Sequence, residues 1–280
     1  MPPLMHRLAG AVFRRLVDPE ARNSLRLAVA LDDRDRPPRE IDRFDARAVV
    51  VIAPHMDDEV AGVGGAIRRH VEHGAAVTVV FTTDGSRGCE HLPVGGSGMP
   101  EAPEERARCC AGIRRNESEA ACRTLGVHDL VFLGGPDGAL RPTPDLVDAL
   151  AAVLKDRKPR IVYHPSVLDL HEDHWQTNCL LARCLAAGAL GPGTVLRGYE
   201  VWTPLIANAV IDISDVFALK ESAFEAFESQ NSCVNYPRAF RGLNAYRSIH
   251  AASGQGYAEA FHETGADTFQ HLMARATTRR

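Results

Sequence analysis

No apolar run in the sequence approaches the roughly 20 residues that a membrane-spanning helix requires, which excludes a helical membrane span. A basic excess is also missing: 32 Lys+Arg stand against 36 Asp+Glu, a formal charge of −4, so a dedicated nucleic-acid binder is not expected. There is no CxxC pair, and the seven cysteines are odd in number, which argues against both a disulfide framework and a cysteine zinc site. The segment Gly85-Ser86-Arg87-Gly88 lacks the Gly-Lys-Ser/Thr ending of a phosphate-cradling loop. A secretory signal is excluded because Arg14 and Arg15 interrupt the only candidate apolar stretch. No internal repeat is visible.

What remains is a chain of 280 residues, 45% hydrophobic and 24% charged, long enough to bury a sizeable core. Cys109, Cys110, Cys122, Cys179 and Cys184 fall in Ala/Leu-rich, helix-like stretches and read as small core residues. Unpaired thiols imply a reducing compartment, hence a cytoplasmic location.

From Arg47 the pattern becomes regular. AVVVIAPH, AVTVVFTTDG, DLVFLGG and RIVYHPS read as short buried strands, and each is followed by a helical segment. Pro103 to Leu125 is a long helix stopped by Gly126, and Thr143-Pro144 opens another. Strands alternating with helices predict an α/β fold, Rossmann-like, with a mostly parallel sheet flanked by helices in a single domain. After Thr194, VLRGYEVW and NAVIDIS read as strands and VFALKESAFEAFESQ as a helix, while the last forty residues are expected to be helical and irregular. The expected organisation is an N-terminal amphipathic helical extension (1–46), the main domain (47–265) and a C-terminal tail (266–280). Five arginines within residues 1–30 make packing on the domain, or peripheral contact with an anionic membrane, the two readings of the extension.

Two clusters follow strands directly: Pro54-His55-Met56-Asp57-Asp58-Glu59 and His171-Glu172-Asp173-His174. Parallel strands deliver their carboxyl ends to one edge, where ligands bind, so the two clusters can converge. Imidazole and carboxylate together suit a zinc ion, whose catalytic sites keep three protein ligands and one open position. Asp57 and Asp58 diverge as neighbours, so one can ligate while the other acts as a general base. His55 and Asp58 are three apart, as are His171 and His174; of the latter pair, one can ligate and one can serve the substrate. Each motif alone has an ordinary reading, since acidic residues at a helix start favour the helix dipole. Their joint placement at two strand ends raises the functional one. Trp175 and Trp202 read as core residues.

PHMDDE with HEDH resembles the AHPDDE…HPDH pattern of the PIG-L/LmbE-like deacetylases. Thr83-Asp84-Gly85-Ser86-Arg87-Gly88, Arg114-Arg115-Asn116-Glu117 with Leu125-Gly126, Pro136-Asp137-Gly138 and Tyr199-Glu200-Val201-Trp202 match further along the chain. So do Asp212-Ile213-Ser214, Lys220, Ser229-Gln230 and Glu259-Ala260-Phe261, so that the resemblance spans about residues 48–262. It implies one Zn²⁺ per chain and hydrolysis of an N-acetyl or N-acyl group from a glucosamine-containing small molecule. By position it implies the ligands His55, Asp58 and His174, the general base Asp57, and His171, when protonated, at the oxyanion. Arg114 and Asp137 match positions that contact sugar hydroxyls. Pro54, Met56 and Glu172 depart from the family pattern without removing a ligand. Rival readings are an amidase of a thiol-conjugated or larger acylated glycoside, a metal-dependent phosphoesterase, and a non-catalytic sugar-binding module.

Overall fold

A computed structural model describes residues 37–95 and 98–277. The expected N-terminal amphipathic helix therefore lies outside the described residues. At the centre is an eight-stranded sheet of β1 (Arg39–Glu40), β2 (Ala48–Ala53), β3 (Ala76–Thr83), β4 (Asp129–Gly135), β5 (Ile161–Pro165), β6 (Val195–Tyr199), β7 (Ala209–Asp212) and β8 (Ala258–Gly265). Their order is β1-β7-β8-β6-β5-β2-β3-β4. β2 lies parallel to both β3 and β5, and β4 and β6 extend the parallel set on either side.

The Val/Ile content of β2 is what a strand covered on both faces needs. Val49, Val51 and Ala53 point into one core and Val50 and Ile52 into the other. The first core is covered by α1 (Asp58–Glu72), α2 (Pro103–Leu125) and α5 (Phe217–Glu225), the second by α3 (Pro144–Arg157), α4 (Glu172–Ala186) and α8 (Ala266–Thr277). The short α6 (Glu228–Asn231), α7 (Tyr236–Arg247) and a 3₁₀ turn (Ser248–His250) complete the described helices. Glycines inside α1 allow it to lie close on the sheet: a Cβ on Gly62 would fall 2.2 Å from the Tyr199 ring. That close approach offsets the helix-propensity cost of glycine, about 1 kcal/mol relative to alanine.

Three expectations need correction. The last forty residues are not only helical and irregular, because β8 runs antiparallel between β6 and β7 inside the sheet. AEAFHETG has helix-favouring Ala and Glu, but ladder pairing on both sides overrides that propensity. The proposed tail contains α8, whose Phe269 and Met273 are buried in the second core. The domain also starts before residue 47: β1 pairs with β7, and Ile41, Phe44 and Ala46 are buried, within a compact unit that begins at Pro38. No helix among the described residues is long and apolar enough to cross a membrane.

β3 and β5 flank β2, and the chain leaves β2 toward one side of the sheet and β5 toward the other. The carboxyl ends of β2 and β5 therefore border a topological switch point, where α/β sheets bind ligands.

Candidate active site

Pro54 follows β2, and the chain turns through His55 to Asp57 before α1 begins. Asp57 occupies the N-cap position of α1 but makes no capping bond with its side chain. Its backbone has φ 151° and ψ −27°, a conformation that costs an L-residue about 1–3 kcal/mol unless its surroundings enforce it. Two groups do so. The Asp57 N–H donates to Glu59 Oε2 at 2.9 Å, and Arg114 donates to the Met56 carbonyl. The Asp57 carboxylate is left facing the cavity, 3.1 Å from the Arg114 guanidinium.

Asp58 opens α1 with a buried carboxylate. Its Oδ2 accepts the His55 N–H at 2.9 Å and lies 3.3 Å from His55 Nδ1 and 3.2 Å from His174 Nε2. Its two imidazole neighbours come from strand ends on either side of the switch point.

The other side is built by the start of α4. His171 sits at the N-cap in extended backbone, and its Nδ1 accepts the Asp173 N–H at 3.2 Å. The ring proton is then on Nε2. Burial, reinforced by the charges of His55 and His174, holds the His171 pKa below the usual value. Burial thus favours the neutral imidazole, with Nδ1 as acceptor and Nε2–H as donor.

Two carboxylates without an assigned role in the sequence reading complete the cluster. Asp173 Oδ2 accepts the Gly138 N–H at 2.7 Å and lies 3.2 Å from His55 Nε2, while its Oδ1 accepts the Leu140 N–H at 3.1 Å. Asp169 Oδ1 accepts the His171 N–H at 3.2 Å and lies 3.5 Å from His174 Nδ1; its Oδ2 accepts the Trp202 N–H at 3.0 Å. Asp173 belongs to the HEDH motif and was open to assignment. Asp169 stands in no motif, and only the fold brings it to His174. Asp137, expected against a sugar hydroxyl, lines the cavity but also lies 3.4 Å from His55 Nε2, and its Oδ2 accepts the Arg87 N–H at 2.9 Å. Glu117, in the same family-like segment as Arg114, accepts hydrogen bonds from the backbone and hydroxyl of Ser229, both at 2.7 Å.

Electrostatics follow from burial and this crowding. Burial alone would lower the His174 pKa, but Asp58 and Asp169 outweigh it and lift it to about 9. Burial would raise Asp58, yet His174 and His55 hold it well below the usual carboxylate range. Asp57 is raised to about 6, chiefly by burial, against the opposing pull of Arg114. Five carboxylates surround three imidazoles and one guanidinium, a charge excess that suits a cation.

Donor geometry fits a metal in the same place. Ligand atoms of His55, His171 and His174 lie within 4.8 Å of one another, as do those of His55, Asp137 and Asp173. Both ring nitrogens of His174 are buried and make no hydrogen bond, although carboxylate oxygens stand 3.2 and 3.5 Å away. A buried nitrogen beside an oxygen that it does not bond is costly in a purely structural role and natural for a metal ligand.

The cluster forms the floor of a cavity of about 310 Å³. Part of its lining is polar, with Arg87, Glu90, Arg114 and Asp137, and part is apolar, with Val201, Trp202, Phe224, Tyr236 and Phe240. Trp202 is therefore a cavity residue and not the core residue expected from sequence; it is 52% exposed. Gly88 is required on the polar side, because a Cβ there would fall 2.1 Å from the Arg114 guanidinium.

A mostly parallel α/β sheet with an imidazole–carboxylate cluster at its switch point defines a Rossmann-like protein with a candidate metal centre. A family model described as PIG-L, GlcNAc-PI de-N-acetylase, matches residues 50–185. A 1D-myo-inositol 2-acetamido-2-deoxy-alpha-D-glucopyranoside deacetylase of Geodermatophilus obscurus is 31% identical over 164 residues, 51% of this chain and 54% of that protein. The N,N'-diacetylchitobiose deacetylase of Pyrococcus horikoshii superposes with a TM-score of 0.66 at 25% identity, covering 80% of this chain and 86% of that one. A 4-carboxy-2-hydroxymuconate hydratase of Pseudomonas putida shares the fold, with a TM-score of 0.68 at 23% identity over 78% of this chain and 96% of that one. Over residues 50–185 the chain is similar to the PIG-L/LmbE family, and its fold is that of the diacetylchitobiose deacetylase. It spans about half the length of the curated inositol-glycoside deacetylases it matches.

Proposed function

We propose that the protein is a metal-dependent N-deacetylase, a hydrolase that cleaves the amide of an N-acetylated glucosamine unit in a small molecule, glycoside or glycan intermediate. The observation that carries this reading is one carboxylate oxygen, Asp58 Oδ2, lying 3.3 Å from His55 Nδ1 and 3.2 Å from His174 Nε2, with the cavity-facing Asp57 carboxylate, aimed by Arg114, next in the chain. His55, Asp58 and His174 would hold one Zn²⁺, with Asp173 and Asp137 fixing the proton of His55 on Nε2 so that Nδ1 faces the metal. When bound, zinc lowers the pKa of a coordinated water toward about 7 and polarises a carbonyl.

Asp57 then takes the proton from the attacking water and passes it to the departing amine. Its pKa near 6 leaves it mostly ionised at neutral pH, as a base must be, and close enough to return the proton. Arg114 aims its carboxylate, and the Glu59 bond fixes the backbone from which it projects. His171 Nε2–H donates to the oxygen on which charge develops, a role worth about 3–4 kcal/mol in comparable sites. Arg87, Arg114 and Asp137 supply polar contacts for sugar hydroxyls. The seven unbridged cysteines favour a cytoplasmic location.

Relatives carry different groups on the sugar, an inositol in one and a second sugar in another, so the acylated glucosamine is the shared element. The direct test is metal content per chain together with acetate release from N-acetylglucosaminides, with and without chelator. One zinc per chain and chelator-sensitive acetate release are expected; release that persists after complete metal removal would overturn the reading.

A further inference from the structure

Resting on that reading, we infer that the group attached to the acylated sugar is uncharged and apolar, an aryl or alkyl aglycone, and that Trp202 and Tyr236 form its subsite. The polar and apolar parts of the cavity lining differ in what they can pair with. Its two guanidiniums among the described residues are already engaged: Arg114 with Asp57 at 3.1 Å and Arg87 with Glu90 at 2.9 Å. Both belong to the polar part, where four carboxylates already line the cavity, those of Asp57, Asp58, Glu90 and Asp137. An anionic aglycone, such as a phosphate or a dicarboxylic acid, would have to compete with these carboxylates for both guanidiniums.

The rest of the lining offers apolar surface. Trp202 and Tyr236 meet edge to face, with ring centroids 6.1 Å apart, and Phe224 and Phe240, stacked on each other, line the same cavity. Half of Trp202 stays exposed, an unusual state for so large an apolar side chain unless a ligand covers it. Leu168 and Leu170, on either side of the Asp169 that bonds the Trp202 backbone, are exposed as well, at 63% and 83%. Bound with its acetamido group at the metal cluster and its hydroxyls on the polar part of the lining, a glycoside has the apolar part left for its aglycone.

The test uses the full-length, metal-loaded protein and compares kcat/KM for free N-acetylglucosamine, its phenyl and octyl glycosides in both anomers, and N-acetylglucosamine 1-phosphate. A phenyl or octyl glycoside is expected to exceed the free sugar about tenfold, through KM, the scale of one well-buried apolar group; the 1-phosphate is expected to be the poorest. Trp202→Ala should erase most of that advantage by raising KM for the aryl and alkyl glycosides. Equal rates for all four, or a preference for the phosphate, would overturn the subsite while leaving the deacetylase reading intact. Acetate release from none would overturn the deacetylase reading. In that case calorimetric binding of phenyl glucosaminide to the wild type and Trp202→Ala still decides the subsite: a Kd unchanged by the substitution would reject it.

Discussion

The polar and apolar parts of the cavity lining are built by different means. On the polar side, neighbours in sequence meet, His55 with Asp58, Asp57 with Glu59 and His171 with Asp173, and so do distant groups, His174 with Asp58, His55 with Asp173 and Arg114 with Asp57. Single turns after β2 and β5 set the first three contacts, and the fold brings the others together. The apolar side depends on buried contacts between distant segments. Arg247 Nε donates to Glu200 at 2.9 Å to brace the loop that carries Trp202, and Lys220 on α5 lies 2.7 Å from Glu259 on β8. The comparison teaches that local turns orient individual groups of the chemistry before the fold assembles them, whereas the surface for the rest of the substrate depends on long-range tertiary contacts throughout.

Asp57→Asn gives the largest expected effect and confines it to the polar side. Turnover should fall by about 10²–10⁴ while metal content and urea midpoint stay unchanged, since only the proton acceptor is lost. An unchanged rate would remove Asp57 as the base.

Lys220→Met attacks the other side. Lys220 Nζ bonds both Glu259 and the Ala61 carbonyl, while Glu259 accepts the Gly65 and Ala66 amides at 2.8 Å each, so the pair ties α5 and β8 to the middle of α1. Leaving Glu259 buried without its cation should cost about 3–5 kcal/mol of unfolding free energy. The Lys220→Met/Glu259→Gln double variant should recover part of it in denaturant titrations. A loss equal to the sum of the singles would show that the pair is not coupled.

Glu59 sharpens the claim that a local turn orients the base. Glu59→Leu removes the acceptor of the Asp57 N–H and should lower turnover about tenfold or more with metal retained, the scale of the backbone strain it supports. Glu59→Gln keeps an acceptor oxygen and should retain most activity. Equal loss in both variants would assign the effect to charge and not to the hydrogen bond.

The smallest effect is a pH dependence of stability that neither side controls. His70 is buried and Nε2 lies 3.0 Å from the Tyr163 hydroxyl; that oxygen accepts from Arg197, so its proton goes to His70, which must be neutral. Burial, with the Arg197 charge, lowers its pKa to about 3. His164 is lowered by burial to about 4. Because the unfolded chain takes up these protons near pH 6.5 and the folded one does not, their contribution is complete above about 6.5 and is lost as pH falls toward 4 and then 3. Urea midpoints should therefore decline between about pH 6.5 and 5, and His70→Gln should flatten the slope.

Much of the polar side was legible because its signals are local. Strand-ending Pro54, the acidic start of α1 and the three-residue spacing of His171 and His174 can be read within a few residues. Asp169 was not legible, because a lone carboxylate five residues before His174 gains meaning only when β5 and α4 fold its chain back onto the ring. Trp202 was misread for a related reason: hydrophobicity reports a preference for burial and cannot say whether protein or ligand supplies the cover. β8 was missed because its ladder partners on both sides are far away in the chain.

The sequence by itself determined the alternation of buried strands and helices, the two imidazole-bearing turns and the family resemblance. Each depends on patterns repeated within one or two turns of chain, where side-chain period and residue chemistry are sufficient. Tertiary structure alone decided that β8 enters the sheet antiparallel, that Asp169 and Asp173 meet the imidazoles, and that burial disfavours a charge on His171. It also brought aromatic side chains into the cavity that the arginines line. Those outcomes depend on burial and on which distant groups meet, and both arise only when the sheet closes.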